Sequence, residues 1–438
     1  MAGKQKPSYT IYSYSKTIMN LYQQITPMSL GWLDNNQKEQ DTIKEMLSLL
    51  QEKGTLDEIG IGTIRDAFSN MLFPGITTIQ TRAKYLVILL YLFKEADAIA
   101  QKSARKNNPL SPDDLVRFIY NSQDNLVDVF KANGLNERGV IGIRARNVVQ
   151  KPTFIYWGAL TTFGMVNPNL SLSQMCSLIC QNAVETEKKR NPSVRDNKNS
   201  DDYFEDAPDA CFDYPTVYSP VTWNNDNWRD GLNMNLTYDE AEFISRKILS
   251  SPASKNTALA QLLKYYRDNK ISCEFKNFDQ IPEDSLDERM KAIFQLAKAF
   301  RKFIFGAHIA YNYLLSGRND AFLKEAFDDW KNQDFNLVPL DEILETTKAS
   351  VQQRTFLKEL LNCAKAGEWE KFENSVEKRE KDLKQGRKKI GSFDYEKTPY
   401  QTPFNSKEDV AGLKLDYRSY RAGTITEDIL NGLNNKRR

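Results

Sequence analysis

Between Asp57 and Phe93 the chain sets two runs of helical periodicity on either side of a tight Phe73-Pro74-Gly75 break. Proline lacks the N–H that a continuing helix needs, and glycine readily takes a positive φ, so one helix must stop here and another begin. The spacing predicts a helix over about 64–72 and a second over about 78–100, with Leu86, Val87, Leu90 and Phe93 anchoring the second in a core. Thr77 or Thr78 would cap that second helix, and Gln80, Thr81, Arg82 and Lys84 would occupy its first two turns. A helix start offers free N–H groups and the positive end of the macrodipole, which suits phosphate. Gln and Arg also read base edges in a major groove. The same pattern fits an αα-corner whose polar end is solvated, and both readings stand.

Further helix signals follow in both directions. A helix is expected over about 37–51. Ser111-Pro112-Asp113-Asp114 is a strong start for one reaching Ala132, and Lys151-Pro152-Thr153 opens another that Gly164 closes. Thr237-Tyr238-Asp239-Glu240 and Ser285-Leu286-Asp287-Glu288 read as capping boxes, the second opening a long helix with an apolar stripe from Met290 to Leu314. More helix is expected over 320–331, 340–364 and 367–390, and a short last one from about 426. Gly139 to Ile143 reads as irregular or strand. The class is mainly α and multi-helical, with a helix-turn-helix or winged-helix-like N-terminal half and a helical C-terminal half. The stretch from Glu185 to Pro208 is charged and nearly free of aliphatics, and 209–235 is aromatic but irregular. The expected division is therefore a helix-turn-helix-like domain over 1–184, a charged hinge and aromatic strap over 185–236, and a helical domain with a basic tail over 237–438.

Composition narrows the chemistry. The formal net charge of +2 over 438 residues means that nucleic-acid binding would have to come from local patches. The polar start lacks the apolar core of a secretory signal, and the longest greasy run, Tyr85 to Phe93, is far short of a bilayer span, so a cytoplasmic protein without membrane contact is expected. The five cysteines form no CxxC pair and suit reduced thiols, with Cys176 and Cys180 on one helix face as small hydrophobes. His308 is the only histidine, which all but removes His-dependent triads and two-His metal sites. It lies in an apolar helix and reads as a hydrogen-bonded core residue. Asp57, Glu58 and Asp66 offer carboxylates for Mg²⁺, but their spacing resembles no recurring nuclease motif. No catalytic residue, metal or cofactor is expected.

Two more basic clusters join the first. Arg138, Arg144, Arg146 and Lys151 lead into a helix whose Tyr156 and Trp157 offer stacking surfaces, a pattern that suits single strands and equally a solvated loop before a packed helix. Lys378, Arg379, Lys381, Lys384, Arg387, Lys388 and Lys389 crowd a later helix, followed by Arg418, Arg421 and Lys436-Arg437-Arg438. Interleaved Glu373, Glu377, Glu380 and Asp382 make a solvated, salt-bridged helix the ordinary alternative.

Taken in order, LGWLD (Leu30–Asp34), DEIGIGTIRDAF with LFPGITTIQTRAKY (Asp57–Tyr85), and ERGVIGIR with KPTFIYWGALTTFGM (Glu137–Met165) resemble a bacterial family of unknown function. GAHIAYNYLL (Gly306–Leu315), VEKREKDLKQGRKKI (Val376–Ile390) and LDYRSYRAGTITEDILNGL (Leu415–Leu433) fit its later blocks, while 185–210 looks like an insertion. Similar genes sit beside large helicases and phospholipase-D-like nucleases in clusters that defend bacteria against phage. The resemblance thus implies a non-catalytic DNA-binding or scaffolding subunit with helicase, nuclease and DNA as partners. The resemblance assigns no residue a role; from the helix start and the basic clusters, the DNA contacts would be Thr77, Thr78, Gln80, Arg82, Lys84, Arg144, Arg146, Lys151, Lys384, Arg387 and Lys388. Alternatives are a pure protein–protein adaptor and, more remotely, a metal-dependent nuclease using Asp57 and Asp66.

Overall fold

The structure, a computed structural model, describes residues 59–135, 139–142, 150–190, 216–221, 227–384, 389–391 and 404–435. The expected helix over 37–51, Asp57, Glu58, Arg138, Arg144, Arg146, Arg387, Lys388 and the terminal basic triplet lie outside them. Among the described residues there are fourteen α-helices and no strand, only an isolated antiparallel bridge between Val166 and Tyr218. The mainly α class holds. None of these helices is long and apolar enough to cross a membrane.

The chain forms two compact units, each assembled from separated stretches. One takes its described residues from Phe73–Lys276 and from Tyr420 onward, the other from 59–72 and 277–419. The Phe73-Pro74-Gly75 break therefore stands where the chain leaves one unit for the other. Helix α1 (Gly62–Leu72) belongs to the second unit and α2 (Lys84–Arg105) to the first.

In the first unit α2 is the central element. Every residue from Lys84 to Phe93 is buried, because α3 (Pro112–Ala132), α4 (Pro152–Thr162) and α5 (Leu172–Arg190) pack around it. The α3 start is as expected: Ser111 and Asp114 form a reciprocal capping box with Pro112 at the first position. Helix α5 buries Met175, Cys176, Ile179 and Cys180, and it extends to Arg190 where a loop was expected from Glu185. Glu, Lys and Arg are good helix formers, and three bases in the last turn meet the negative end of the dipole, so charge alone did not mark a loop. Helices α6 (Tyr238–Ser250) and α7 (Ala258–Asn269) pack on each other, with Thr237 and Glu240 capping α6 as expected.

The second unit is organised by α8 (Glu288–Leu315), against which α1, α9 (Ala321–Lys331), α10 (Leu340–Thr346) and α12 (Trp369–Lys384) pack. Asp287, not Ser285, caps α8. Its side chain accepts from the Met290 N–H, because Ser285 is still in a 3₁₀ turn. The helix expected over 340–364 is two, α10 and α11 (Val351–Ala366). Lys348 turns left-handed at φ 52°, and Ser350 with Gln353 caps the new start. A short α13 (Lys407–Ala411) packs on α9. Tyr417 and Arg418 are both left-handed, at φ 51° and 67°. Non-glycine residues hold that geometry at a cost of about 1–2 kcal/mol each, so something must pin them. The Tyr417 hydroxyl donates to the Ala297 carbonyl (2.9 Å), and the Arg418 guanidinium donates to Asn70 Oδ1 (2.8 Å) and Asp66 Oδ1 (3.1 Å). The last helix, α14 (Ser419–Asn434), begins directly afterwards, earlier than the position near 426 that was expected.

Within the second unit, Gly306 of α8 faces the Trp330 indole so closely that a Cβ there would stand 2.2 Å from Cε2. The indole is held by its N–H to the Lys302 carbonyl (2.8 Å) and by stacking on Phe327. Gly306→Ala should therefore lose about 1–3 kcal/mol from overpacking, against a helix-propensity gain of about 1 kcal/mol. Urea denaturation checks the sign, and a more stable variant would mean that Trp330 yields.

Candidate functional site

The segment preceding α2 is built from four anchors in the first unit. Gly75 has φ 78°, and a Cβ on it would meet Thr162 Cβ at 3.1 Å and Ala159 Cα at 3.2 Å, so glycine is needed both for the turn and for close approach to α4. Gln80 is buried. Its Nε2 donates to the carbonyls of Gly75 (2.9 Å) and Ile155 (3.3 Å), and its Oε1 accepts from the Thr77 N–H (3.2 Å). The Tyr156 hydroxyl accepts from the N–H groups of Thr81 (2.8 Å) and Arg82 (3.0 Å) and donates to the Arg82 carbonyl (2.8 Å). Arg421 Nε donates to the Thr78 carbonyl (2.9 Å). These bonds keep residues 76–82 out of the helix, which starts at Lys84 rather than near Thr78. Neither threonine caps it.

The anion at the start of α2 is a carboxylate of the chain itself. Ala83, at the cap position, has no polar side-chain atom to cap with, and its N–H donates to Asp428 Oδ2 (2.8 Å). Arg82 Nε donates to both Asp428 oxygens (3.0 Å each), and Arg82 also reaches the Met234 carbonyl (3.4 Å). Burial pushes the Asp428 carboxyl up, while Arg82 and the Ala83 N–H pull it down. At the next position, buried Lys84 donates to Glu240 Oε2 (2.6 Å). That carboxylate also closes the α6 capping box and accepts from the Tyr91 hydroxyl (3.2 Å).

Residues 28–214 match the model of a family described as "Family of unknown function (DUF6361)". No curated protein and no solved structure matches the chain. The matched stretch contains Gly75, Gln80, Arg82, Lys84 and Tyr156, whereas the carboxylates that complete the arrangement, Glu240 and Asp428, fall beyond it.

Elsewhere the expected interface residues are dispersed. Lys151 is ion-paired with Asp124, and Tyr156, read as a stacking surface, is wholly enclosed. Trp157 is half-buried edge-on to Phe93. In the second unit Lys378 and Lys381 are exposed on α12, Lys384 is half-buried, and Arg379 covers the Phe356 ring with its Nε on the Ile59 carbonyl (3.2 Å). Asp66 pairs with Arg65 and Arg418. Among the described residues no group of three or more His, Cys, Asp or Glu side chains is placed to hold a metal ion. The thiols of Cys176, Cys180, Cys273 and Cys363 are free and buried, and burial pushes Cys176 and Cys273 up to about 12, which leaves both as thiols at neutral pH. Sequence reading missed Asp428 and Glu240 as site residues. Glu240 carried a signal, the capping box, but nothing local tied Asp428 to residue 82.

Asp428→Ala should destabilise the protein by about 3 kcal/mol, since it removes the carboxylate that Arg82 and an enclosed N–H both bind. The paired change Arg82→Met with Asp428→Leu should recover part of that loss in urea denaturation. A single-variant cost below about 1 kcal/mol would rule out the carboxylate as a brace.

His308, fully buried on α8, has its Nδ1 2.9 Å from the Leu413 carbonyl oxygen, and burial pushes its pKa down to about 4, with Arg65 adding to the effect. It is a core histidine. Because the folded value lies below the ordinary one of 6.5, the unfolded chain takes up the proton first on acidification. The stability is fully present above pH 6.5 and is lost as pH falls towards 4, by about 3 kcal/mol in all. His308→Leu should flatten that part of the pH profile in urea titrations between pH 7.5 and 4.5.

Proposed function

We propose that the protein is a non-catalytic scaffolding subunit of a bacterial defence system, engaging helicase and nuclease partners through protein surfaces. The observation that carries this reading is the occupancy of the α2 start. The position that would suit a phosphate holds the Asp428 carboxylate, and Gln80, Arg82 and Lys84 spend their polar atoms on the fold. A helix terminus already satisfied by an internal anion has little to offer a phosphate backbone, whereas the same bonds make a rigid body of the kind a scaffold needs. The helicase and nuclease enter from the resemblance described above, in which similar genes neighbour both.

Duplex-DNA contact is the second reading, and the exposed Lys378 and Lys381 of α12 are what favour it. Co-expression with candidate helicase and nuclease subunits, followed by purification with and without nuclease digestion, separates the two. Scaffolding predicts complexes that survive digestion, with DNA affinity no tighter than the non-specific range of about 10⁻⁴–10⁻⁶ M at physiological salt. Tight, steeply salt-dependent DNA binding that is lost in Lys378→Glu with Lys381→Glu would establish the second reading instead.

A further inference from the structure

In the second unit a groove of about 490 Å³ runs between α8, α9 and α13, within the range of about 300–1,000 Å³ typical of ligand clefts. Its apolar lining includes Phe305 and Val410, and Phe322, one of the few large hydrophobic side chains left exposed. Its cations divide into two sets. Lys298 is paired with Glu283 (2.7 Å), Arg301 with Asp279 (2.7 Å) and Lys407 with Glu325 (2.6 Å). Lys302 is exposed and Lys414 lies with its Nζ 5.2 Å from the centre of the Phe305 ring; among the described residues neither has a carboxylate partner. Gln333 adds a third unmet demand, because its Nε2 is shut off from solvent with no acceptor. A buried amide donor left without an acceptor costs about 1–3 kcal/mol, and an occupant carrying an acceptor would remove that cost.

We infer that this groove docks a short acidic segment of a partner protein, one carboxylate side chain beside a large apolar one. The apolar side chain covers Phe305 and Phe322, the carboxylate meets Lys302 and Lys414, and a backbone carbonyl supplies the acceptor that Gln333 lacks. The acids among the lining decide against a polyanion. Asp279, Glu325 and Asp329 are spread among the lysines, so a run of phosphates would meet acids along the groove where a discrete carboxylate at Lys302 and Lys414 does not. The inference rests on the scaffolding reading and names where one partner attaches.

The probe is a set of fluorescein-labelled ten-residue peptides with a fixed Asp-Phe-x-Leu-Glu core and varied flanks, titrated with the full chain and read by fluorescence anisotropy. Saturable binding is expected at low salt, weakening by about fivefold or more at high salt as the lysines are screened. Lys302→Glu with Lys414→Glu should lower affinity by about tenfold or more, and Lys378→Glu with Lys381→Glu on α12 should leave it unchanged. Circular dichroism checks that each variant is folded. Absence of saturable binding, equal binding of a Lys-Phe-x-Leu-Lys core, or indifference to reversal at Lys302 and Lys414 would overturn the inference. Displacement of the peptide by duplex DNA, or self-association lost in the same double variant, would assign the groove to another occupant and overturn it too. Partner complexes that persist in the Lys302→Glu, Lys414→Glu variant would leave the scaffolding reading standing and overturn the groove alone. Peptide binding without any co-purifying partner would do the reverse.

Discussion

The first unit depends on how the start of α2 is satisfied. A helix buried along its first three turns cannot send its free N–H groups to water, and the residue at its cap position is an alanine. The acceptor has to come from elsewhere in the chain. Asp428 supplies it from α14, and the charge this brings inside is balanced by Arg82. Glu240 solves a similar problem at the next residue, serving at once as the cap of α6 and as the counter-ion of Lys84. Three helices are thus fixed by two carboxylates, and the aromatic hydroxyls of Tyr91 and Tyr156 complete the polar network around them. In a low-dielectric interior such a network is stable only when every member has its partner.

The second unit uses the same device once more. Glu380 of α12 is fully buried, and it accepts from the backbone N–H groups of Lys389 (2.8 Å) and Ile390 (3.0 Å) and from the Tyr311 hydroxyl (3.0 Å). Its charge keeps the Tyr311 phenol from ionising, a further push in the direction that burial already sets. From sequence, Glu380 looked like one of several acids diluting a basic helix. Its enclosure shows that acids at helical spacing among lysines need not all face solvent.

Local signals were legible where the chemistry is local. The caps at Ser111 and Thr237, the Pro-Gly break and the apolar stripe of α8 were all readable, because each depends on residues within a few positions of one another. The capping of α8 slipped by two residues because Ser285 and Asp287 both suit a cap, and only the 3₁₀ turn before the helix chooses between them. The last turn of α5 was hidden by its charge. The start of α2 was misplaced for a different reason: residues 78–82 have a helical pattern but are held by bonds to Ile155 and Tyr156, tertiary contacts with no local signature. Of the candidate site, the polar residues were found, but what they bind was not. A pattern can mark Arg82 and Lys84 as unusual while leaving open whether their counter-ions are phosphates or carboxylates distant in the sequence.

Arg82 and Asp428 are 346 positions apart, and both ends of that span belong to one compact unit while most of the residues of the other unit lie between them. Closing so long a loop costs entropy that nearby contacts must first offset. On a ribosome the consequence is a matter of order. The helices around α2 emerge early, yet the carboxylate that finishes their core is made only after the second unit has been synthesised. Until then the carboxylate that the Ala83 N–H and Arg82 share is missing from the chain. The unit whose core helices come first in the chain is therefore the one that must wait for the second to be made.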